Sequence, residues 1–596
     1  MKQISENLFL YEDTCNVYVV KNGHSAVLID FGSGDVLDEL AAIGVKRVTD
    51  VLLTHHHRDQ CQGLERANHE GINIWVPHME QDLFQEVDTH WQAREIDNNY
   101  NMRQDRFSLL WPVTITGTLT DYSTRVFNQQ LFTIIPTPGH TVGSISIITE
   151  LDGKKIAFTG DLIAGPGKVW SLSATQWTYN GGEGIALTVL SLLDLQEREI
   201  DLLLPSHGVV IDEPDFAINL LIERLRELMK RRKQNPRLFE LREKPYETIT
   251  PHLLKNRTSL SNSYVLISSS RKALMIDFGY DFVGGVAAGA DRASRRPWLY
   301  TISALKRDFH VDSIDVVIPT HFHDDHVAGF NLLKSVENTQ VWCPENFSDI
   351  LENPQSYDLP CLWYDPISVD RKLPLHQAIQ WEEYELTLYE QPGHTLYAVA
   401  IQFEVDGKKM LAVGDQYQGT DYNYVYHNGF RIWDYRASAR LYKNIRPDIL
   451  LFGHCDPIYV TDEYLDIITE NGEALERLHQ ELLPLETIDF GAEGFGATIK
   501  PYQIFVEEGG TFSIEVEIKN PFQEEEEAIV NVVVPNKWKV RNGKMKVGIS
   551  GKGTAKVKTE ITVPPRMKIR RERIAVDLTI GKKRFGQHAE ALVTIK

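Results

Sequence analysis

The sequence predicts an α/β protein in which one strand-and-helix unit is used twice and is followed by an all-β sandwich. Three observations carry this: an ordered motif set recurs at an offset near 250 residues, each copy alternates apolar β-rich runs with helical patterns, and after residue 500 only alternating strands remain. At 596 residues the chain is about four times a typical 150-residue domain. Its 42% hydrophobic and 24% charged residues are the balance of a globular protein that buries several cores. The expected units are 1–240, 241–490 and 491–596.

The repeat is read directly. SAVLIDFG from Ser25 recurs as KALMIDFG from Lys272, and DVLLTHHHRDQ from Asp50 as DVVIPTHFHDDH from Asp315. PGHT at Pro138 recurs at Pro392, DGKK at Asp152 recurs at Asp406, and Gly160-Asp161 recurs as Gly414-Asp415, all three at an offset of 254. DLLLPSHG from Asp201 returns as DILLFGHC from Asp448. VLID, VLLT and FTIIPT are short apolar runs leading into polar loops, and ISIITELDGKKIAFTGD is two strands joined by an Asp-Gly turn. A helical pattern over 215–234 closes the first copy, with Phe216, Leu220, Leu221, Leu225 and Leu228 on one face; 464–482 is its counterpart. The expected linkers are 233–244 and 489–497.

FSIEVEIKN, AIVNVVV, AKVKTEITVP and RIAVDLTI follow as strands of a sandwich of about 100 residues with no His/Cys cluster, similar to the Ig-like modules appended to enzymes. From Lys500 to Lys596 there are 19 Lys+Arg against 12 Asp+Glu, a net of +7, so with −21 overall the preceding residues carry −28. Such an acidic body argues against nucleic acid as a partner. The basic end reads as a solvated strand face, with docking on the acidic body, subunit bridging or polyanion binding as the alternatives. No run of 18 apolar residues predicts a membrane span, and MKQISENLFLYEDT lacks the apolar core of a signal peptide. Five cysteines without a CxxC pair fit a reducing compartment, so a cytoplasmic location is expected. The expected partner is a small-molecule substrate, with homo-oligomerisation left open.

The chemistry is fuller in the second copy. His321, His323, Asp325 and His326 follow the strand Val316-Val317-Ile318, His394 follows Pro392-Gly393, Asp415 follows Gly414, and His454 follows LLFG. Loops leaving strand ends turn several side chains toward one point, and imidazole with carboxylate suits zinc and related divalent ions. HxHxDH, a lone His, an Asp and a final His, in this order and at strand ends, resembles the metallo-β-lactamase superfamily over both copies. The resemblance implies two tandem αββα sandwiches with metals at one edge of two packed sheets. It further implies that His321, His323 and His394 hold one metal, that Asp325, His326 and His454 hold a second, and that Asp415 bridges them.

The first copy carries His55, His57, Asp59, His140, Asp161 and His207, but Gln60 stands where the motif has His. An amide oxygen is a poorer zinc ligand than imidazole, so a weak or empty second position is expected there. The first centre is then a working one-metal site, a structural one, or empty. Two zinc ions are expected in the second unit, with room for one in the first, and iron or manganese is admitted by the same donors. His56, His69, His78 and His90 match no motif position and read as surface residues.

A metal-bound water ionises near neutral pH and supplies hydroxide without a protein nucleophile. Asp325 or Asp415 orients it or accepts its proton. Tyr417 and Cys455 read as packing residues. The resulting expectation is a metal-dependent hydrolase of an ester, thioester, lactone or phosphoester. The alternatives are an iron-dependent oxidoreductase or dioxygenase of the same fold, and a non-catalytic scaffold. The resemblance trims the range: a diiron oxidoreductase would have Glu at His323, and tRNA processing fits the acidic balance poorly. Between Asp277 and Thr320 the second copy is 19 residues longer than between Asp30 and Thr54. The extra stretch reads as a mobile loop whose Arg292, Arg295 and Arg296 meet an anionic substrate, or as a plain surface insertion. Residues 88–111 read as helix and loop covering the first site.

Overall fold

Strands buried on both faces organise each repeat. Ser25–Ile29 runs parallel to Arg47–Leu52, and side chains alternate along both. Val27, Ile29 and Leu52 enter the core between two sheets, whereas Ala26, Leu28 and Val51 pack under helices. That is why these runs are apolar throughout rather than alternating. The structure, a computed structural model, describes all residues except 94–104, 106, 173–183, 234, 282–291 and 422–426.

In the first repeat a seven-stranded sheet runs in sequence order from Lys2–Gln3 to Gly117–Leu119. A five-stranded sheet faces it, from Thr124–Phe127 at one edge to Leu202–Pro205 at the other. Phe132, Ile134, Ile147 and Phe158 of the second sheet meet Tyr18, Val27 and Leu52 of the first. Helices Gly184–Gln196 and Pro214–Arg232 cover the outer face of the five-stranded sheet. Leu64–His69 packs on the outer face of the other. The second repeat copies this, with a seven-stranded sheet from Tyr246–Thr250 to Arg371–Leu373 and a six-stranded sheet from Ala378–Trp381 to Ile458–Tyr459. Phe330–Glu337 lies on one outer face; Asp434–Ile445 and Asp462–Leu482 lie on the other. Each repeat is therefore an αββα sandwich. The strands of 497–595 form sheets of four and five strands around one core that includes Val516, Val530, Val576 and Val593. No helix among the described residues is long and apolar enough to cross a membrane.

Three expectations change. In Pro214–Arg232 the buried stripe is Ala217, Ile218, Leu221, Ile222, Leu225 and Met229, while Phe216 is exposed. Two apolar stripes adjoin on this helix, and the one built around Ile and Ala fits the sheet. The 233–244 segment is more than a linker, because Leu238–Glu243 forms a helical turn that buries Leu238. The third change concerns the insertion. Its residues 282–291 lie outside the described residues, and its three arginines are all engaged in ion pairs. Arg296 is buried, and its Nε and Nη2 donate to both oxygens of Asp121 in the first repeat at 2.6 Å each. Arg292 pairs with Asp365 at 3.2 Å and with Asp82 of the first repeat at 3.1 Å. Arg295 pairs with Asp324. Ala293, Trp298 and Tyr300 enter the helix-side core of the first repeat, so the insertion fastens the two sandwiches together.

Candidate metal centre

Five strands of the second repeat end at one edge and hand their next residues to one point. Lys272–Ile276 leads to Asp277, Ser313–Ile318 to His321, Tyr384–Glu390 to His394, Lys408–Gly414 to Asp415, and Ile449–Phe452 to His454. His323 precedes the short helix Asp324–Val327, which adds Asp325 and His326. His323 Nδ1 lies 2.9 Å from His321 Nε2 and 3.2 Å from His394 Nε2. Asp415 Oδ2 is 3.5 Å from His394 Nε2 and 3.9 Å from His321 Nε2. Beside this set, His454 Nε2 is 3.1 Å from Asp415 Oδ2 and 3.3 Å from Asp325 Oδ2, and His326 Nε2 is 3.3 Å from Asp415 Oδ1. All seven sequence-predicted groups of this copy converge, with Asp415 between the two sets.

This arrangement fits metal ions. His326 Nε2 and Asp415 Oδ1 are buried and face each other at 3.3 Å with no other hydrogen-bond partner, so two potential metal donors stand side by side. His326 Nδ1 lies 2.9 Å from Asp277 Oδ2, which fixes the ring and turns Nε2 inward. Asp277 is itself held by the backbone N–H and hydroxyl of Thr320 at 2.7 and 2.8 Å. Gly453 keeps the space clear: a Cβ there would strike Asp415 Oδ1 and approach His326 Cε1 to 3.0 Å.

In the first repeat, His55, His57 and His140 come together as one potential ligand set. His140 Nε2 is 2.9 Å from His57 Nδ1 and 3.3 Å from Asp161 Oδ2. The neighbouring position is built differently. Asp161 turns both oxygens toward His207 Nδ1, at 2.9 and 3.0 Å, and His207 Nε2 faces the Thr14 carbonyl at 3.1 Å and Asp59 Oδ2 at 3.4 Å. Trp170 stacks on the His207 ring with centroids 4.4 Å apart. Gln60 is not the whole cause. Ser206 occupies the place of Gly453 and donates to Asp30 Oδ2 at 2.5 Å, where His326 meets Asp277 in the second repeat. Two substitutions, Gln60 and Ser206, thus close the second position. The Ser206 change was visible in the repeat alignment, as PSHG against FGHC.

A family model of the metallo-β-lactamase superfamily matches residues 10–207 and again 257–454. The chain belongs to the metallo-β-lactamase superfamily. A hydroxyacylglutathione hydrolase of Pseudoalteromonas translucida is 30% identical over 162 residues, 27% of this chain and 50% of that protein. The chain therefore spans half the length of that relative. A probable metallo-hydrolase of Methanocaldococcus jannaschii is 27% identical over 218 residues, 35% of this chain and 94% of that protein. Among solved structures, a class B3 di-zinc metallo-β-lactamase from an Alaskan soil metagenome is 15% identical, with a TM-score of 0.31 over 40% of this chain and 96% of that one. A metallo-β-lactamase family protein of Thermus thermophilus is 18% identical, with a TM-score of 0.31 over 38% and 82%.

The two halves of each metallo-β-lactamase site differ electrostatically before any metal binds. Burial pushes His323 down to about 3 and His55 to about 3, and it holds His321 and His57 well below the usual range. These imidazoles are therefore neutral near pH 7. Burial alone would raise the Asp415 carboxyl, but the facing His326 and His454 hold it well below the carboxylate range. The same pairs overcome the burial of His454 and raise it to about 10.

Some residues read as surface are not. His56 is buried, with Nδ1 3.1 Å from Glu80 Oε1. Glu80 also accepts from Thr141 Oγ1 at 2.6 Å and from the Gly143 N–H at 3.2 Å, so this pair steadies the loop that carries His140. A third histidine in the HHH run gave no periodic signal for this role. His78 Nε2 lies 3.0 Å from Asp365 of the second repeat. His90 lies 2.6 Å from Asp105, and His69 is exposed as expected. Tyr417 is buried, its hydroxyl 3.1 Å from Ser438 Oγ. Cys455 is half-buried. Of the stretch covering the first site, Val87–Ala93 is helical and Phe107 places its ring edge-on to His57 at 6.0 Å, while 94–104 and 106 lie outside the described residues.

Proposed function

We propose that the chain is a hydrolase of a small-molecule ester or thioester, and that its chemistry runs in the second repeat, within the unit 241–490. The observation that carries this is the buried pair His326 Nε2 and Asp415 Oδ1, which have no hydrogen-bond partner beyond each other, inside a complete set of seven groups. His321, His323 and His394 would hold one metal, and Asp325, His326 and His454 a second, with Asp415 shared. Divalent ions so held supply Lewis acidity and acidify water. The residues then have separate tasks. Asp277 fixes the tautomer and direction of His326. Asp325 and Asp415, both held ionised by the histidines that face them, orient the attacking water and accept its proton. In the unit 1–240, His55, His57 and His140 would hold a single metal, and the unit 491–596 takes no part in the chemistry.

The hydroxyacylglutathione hydrolase relative puts thioesters first among substrates to try, ahead of lactones and phosphodiesters. The experiment is a hydrolysis panel across these classes with wild type and Asp415→Ala. Turnover of one class that falls by about 10²–10⁴-fold in the variant supports the reading. Turnover unchanged by Asp415→Ala would reject it.

A further inference from the structure

Outside the seven groups, a second set of soft donors stands at the mouth of the same centre. The ligand atoms of His323, Cys361 and His427 lie within 4.8 Å of one another. His323 is buried, whereas Cys361 and His427 are exposed. No motif in the repeat pointed to Cys361 or His427, and the first repeat has no such trio among its described residues.

Both outer residues are fixed by backbone rather than by chance proximity. Cys361 sits at φ 55°, and its carbonyl accepts the Asp324 N–H at 2.9 Å, so the thiol-bearing residue is tied to the HxHxDH loop. The His427 N–H donates to the His394 carbonyl at 3.0 Å, and its ring centroid lies 4.6 Å from that of His394 and 5.3 Å from that of His323. Asn428, the next residue, donates to Thr395 Oγ1 at 3.0 Å and has its Oδ1 3.3 Å from His323 Nε2. Asn428 thus stands at the Nε2 side of His323, while Nδ1 faces His321 and His394.

We propose that Cys361, His427 and His323 form an additional soft-metal site that takes zinc or cadmium and, when loaded, shuts down the inner centre. One thiolate and two imidazoles suit these ions and not magnesium or calcium. Tetrahedral zinc with bonds of about 2.1–2.3 Å needs ligand atoms about 3.3–3.7 Å apart, so closing the trio asks for a shift of about 1 Å from two exposed side chains. His323 belongs to both sets. An ion seated in the outer trio competes with the inner metal for the single lone pair of the neutral His323 ring, and excess metal becomes an inhibitor.

The inhibitory part rests on the hydrolase reading above, but the binding part does not, and the test separates them. Cadmium is titrated into zinc-loaded full-length protein while the ultraviolet thiolate-to-cadmium band and hydrolysis are followed together. The expected result is one band saturating at one thiolate per chain, with hydrolysis falling in step. Cys361→Ser abolishes the band, keeps basal hydrolysis, and raises the cadmium concentration needed for inhibition by about tenfold or more. Cys455→Ser keeps the band, and His427→Gln weakens cadmium binding by about tenfold. A band that survives Cys361→Ser or disappears in Cys455→Ser overturns the site. A Cys361 band that saturates while hydrolysis continues unchanged overturns the inhibition. If no substrate is ever turned over, the hydrolase reading fails, and the band in wild type against Cys361→Ser still decides whether the site exists.

Discussion

Replacing Arg296 tests whether the insertion joins the two sandwiches as described. Arg296 is 3% exposed and Asp121 1%, so neither charge is relieved by solvent. The guanidinium makes two hydrogen bonds of 2.6 Å to Asp121, and Nη1 donates to the carbonyls of Val142 at 2.8 Å and Ser144 at 3.2 Å. Ser144 O also accepts the Thr137 N–H at 3.0 Å and keeps a partner when the arginine goes. The dominant loss is thus the unpaired carboxylate of Asp121, and breaking a buried pair by removing one member costs about 3–5 kcal/mol. Arg296→Met should lower the unfolding free energy of the first sandwich by that amount, read by denaturant titration with hydrogen exchange assigned to each repeat. Arg296→Met with Asp121→Leu should recover most of it, because a buried pair exchanged for apolar residues of similar volume is near neutral. A single variant costing under about 1 kcal/mol, the range of an exposed ion pair, would refute the desolvated pair. So would a double variant as damaged as the single.

Other consequences follow from the same distances. Gln60→His alone should leave the metal content unchanged, whereas Gln60→His with Ser206→Gly should add about one ion per chain, since both residues close the second position. Glu80→Gln should weaken zinc binding at the first three-histidine set by about 10–100-fold, leaving the second centre unaffected, as measured by competition with a chelator. Metal loading of the second centre should release protons at pH 7. His454, raised to about 10 in the metal-free protein, is protonated there and must deprotonate to bind, whereas His323 and His55, lowered to about 3, are already neutral. Calorimetry in buffers of different ionisation enthalpy should show this release at pH 7 and its loss as pH rises through about 10; no buffer dependence at pH 7 would contradict it.

The fold and the complete site were legible in the sequence because both depend on local order. Ligands at strand ends must follow apolar runs, and the runs in VLID and DVVIP are apolar on both faces because helices cover the sheet. The ordered His and Asp positions then recur wherever the sandwich recurs. What stayed hidden depends on partners far apart in the chain. Arg296 reads as a substrate arginine until Asp121, 175 residues away, is seen beside it. His56 reads as surplus until Glu80 closes over it. Phe216 and Ile218 present equally apolar stripes, and only the facing sheet chooses between them. Ser206 was readable by aligning the two copies, but its effect is clear only from its bond to Asp30.

On the proposed reading the second repeat binds two metal ions and the first repeat binds one. Metal per chain, measured by elemental analysis on reconstituted and desalted protein, tests it most directly, with wild type compared to His321→Ala/His323→Ala. With zinc supplied at no more than three equivalents, too little to load the outer trio, about three zinc ions per chain are expected, falling to about one in the variant. A variant that keeps its full metal content, or wild type that binds none, would contradict it.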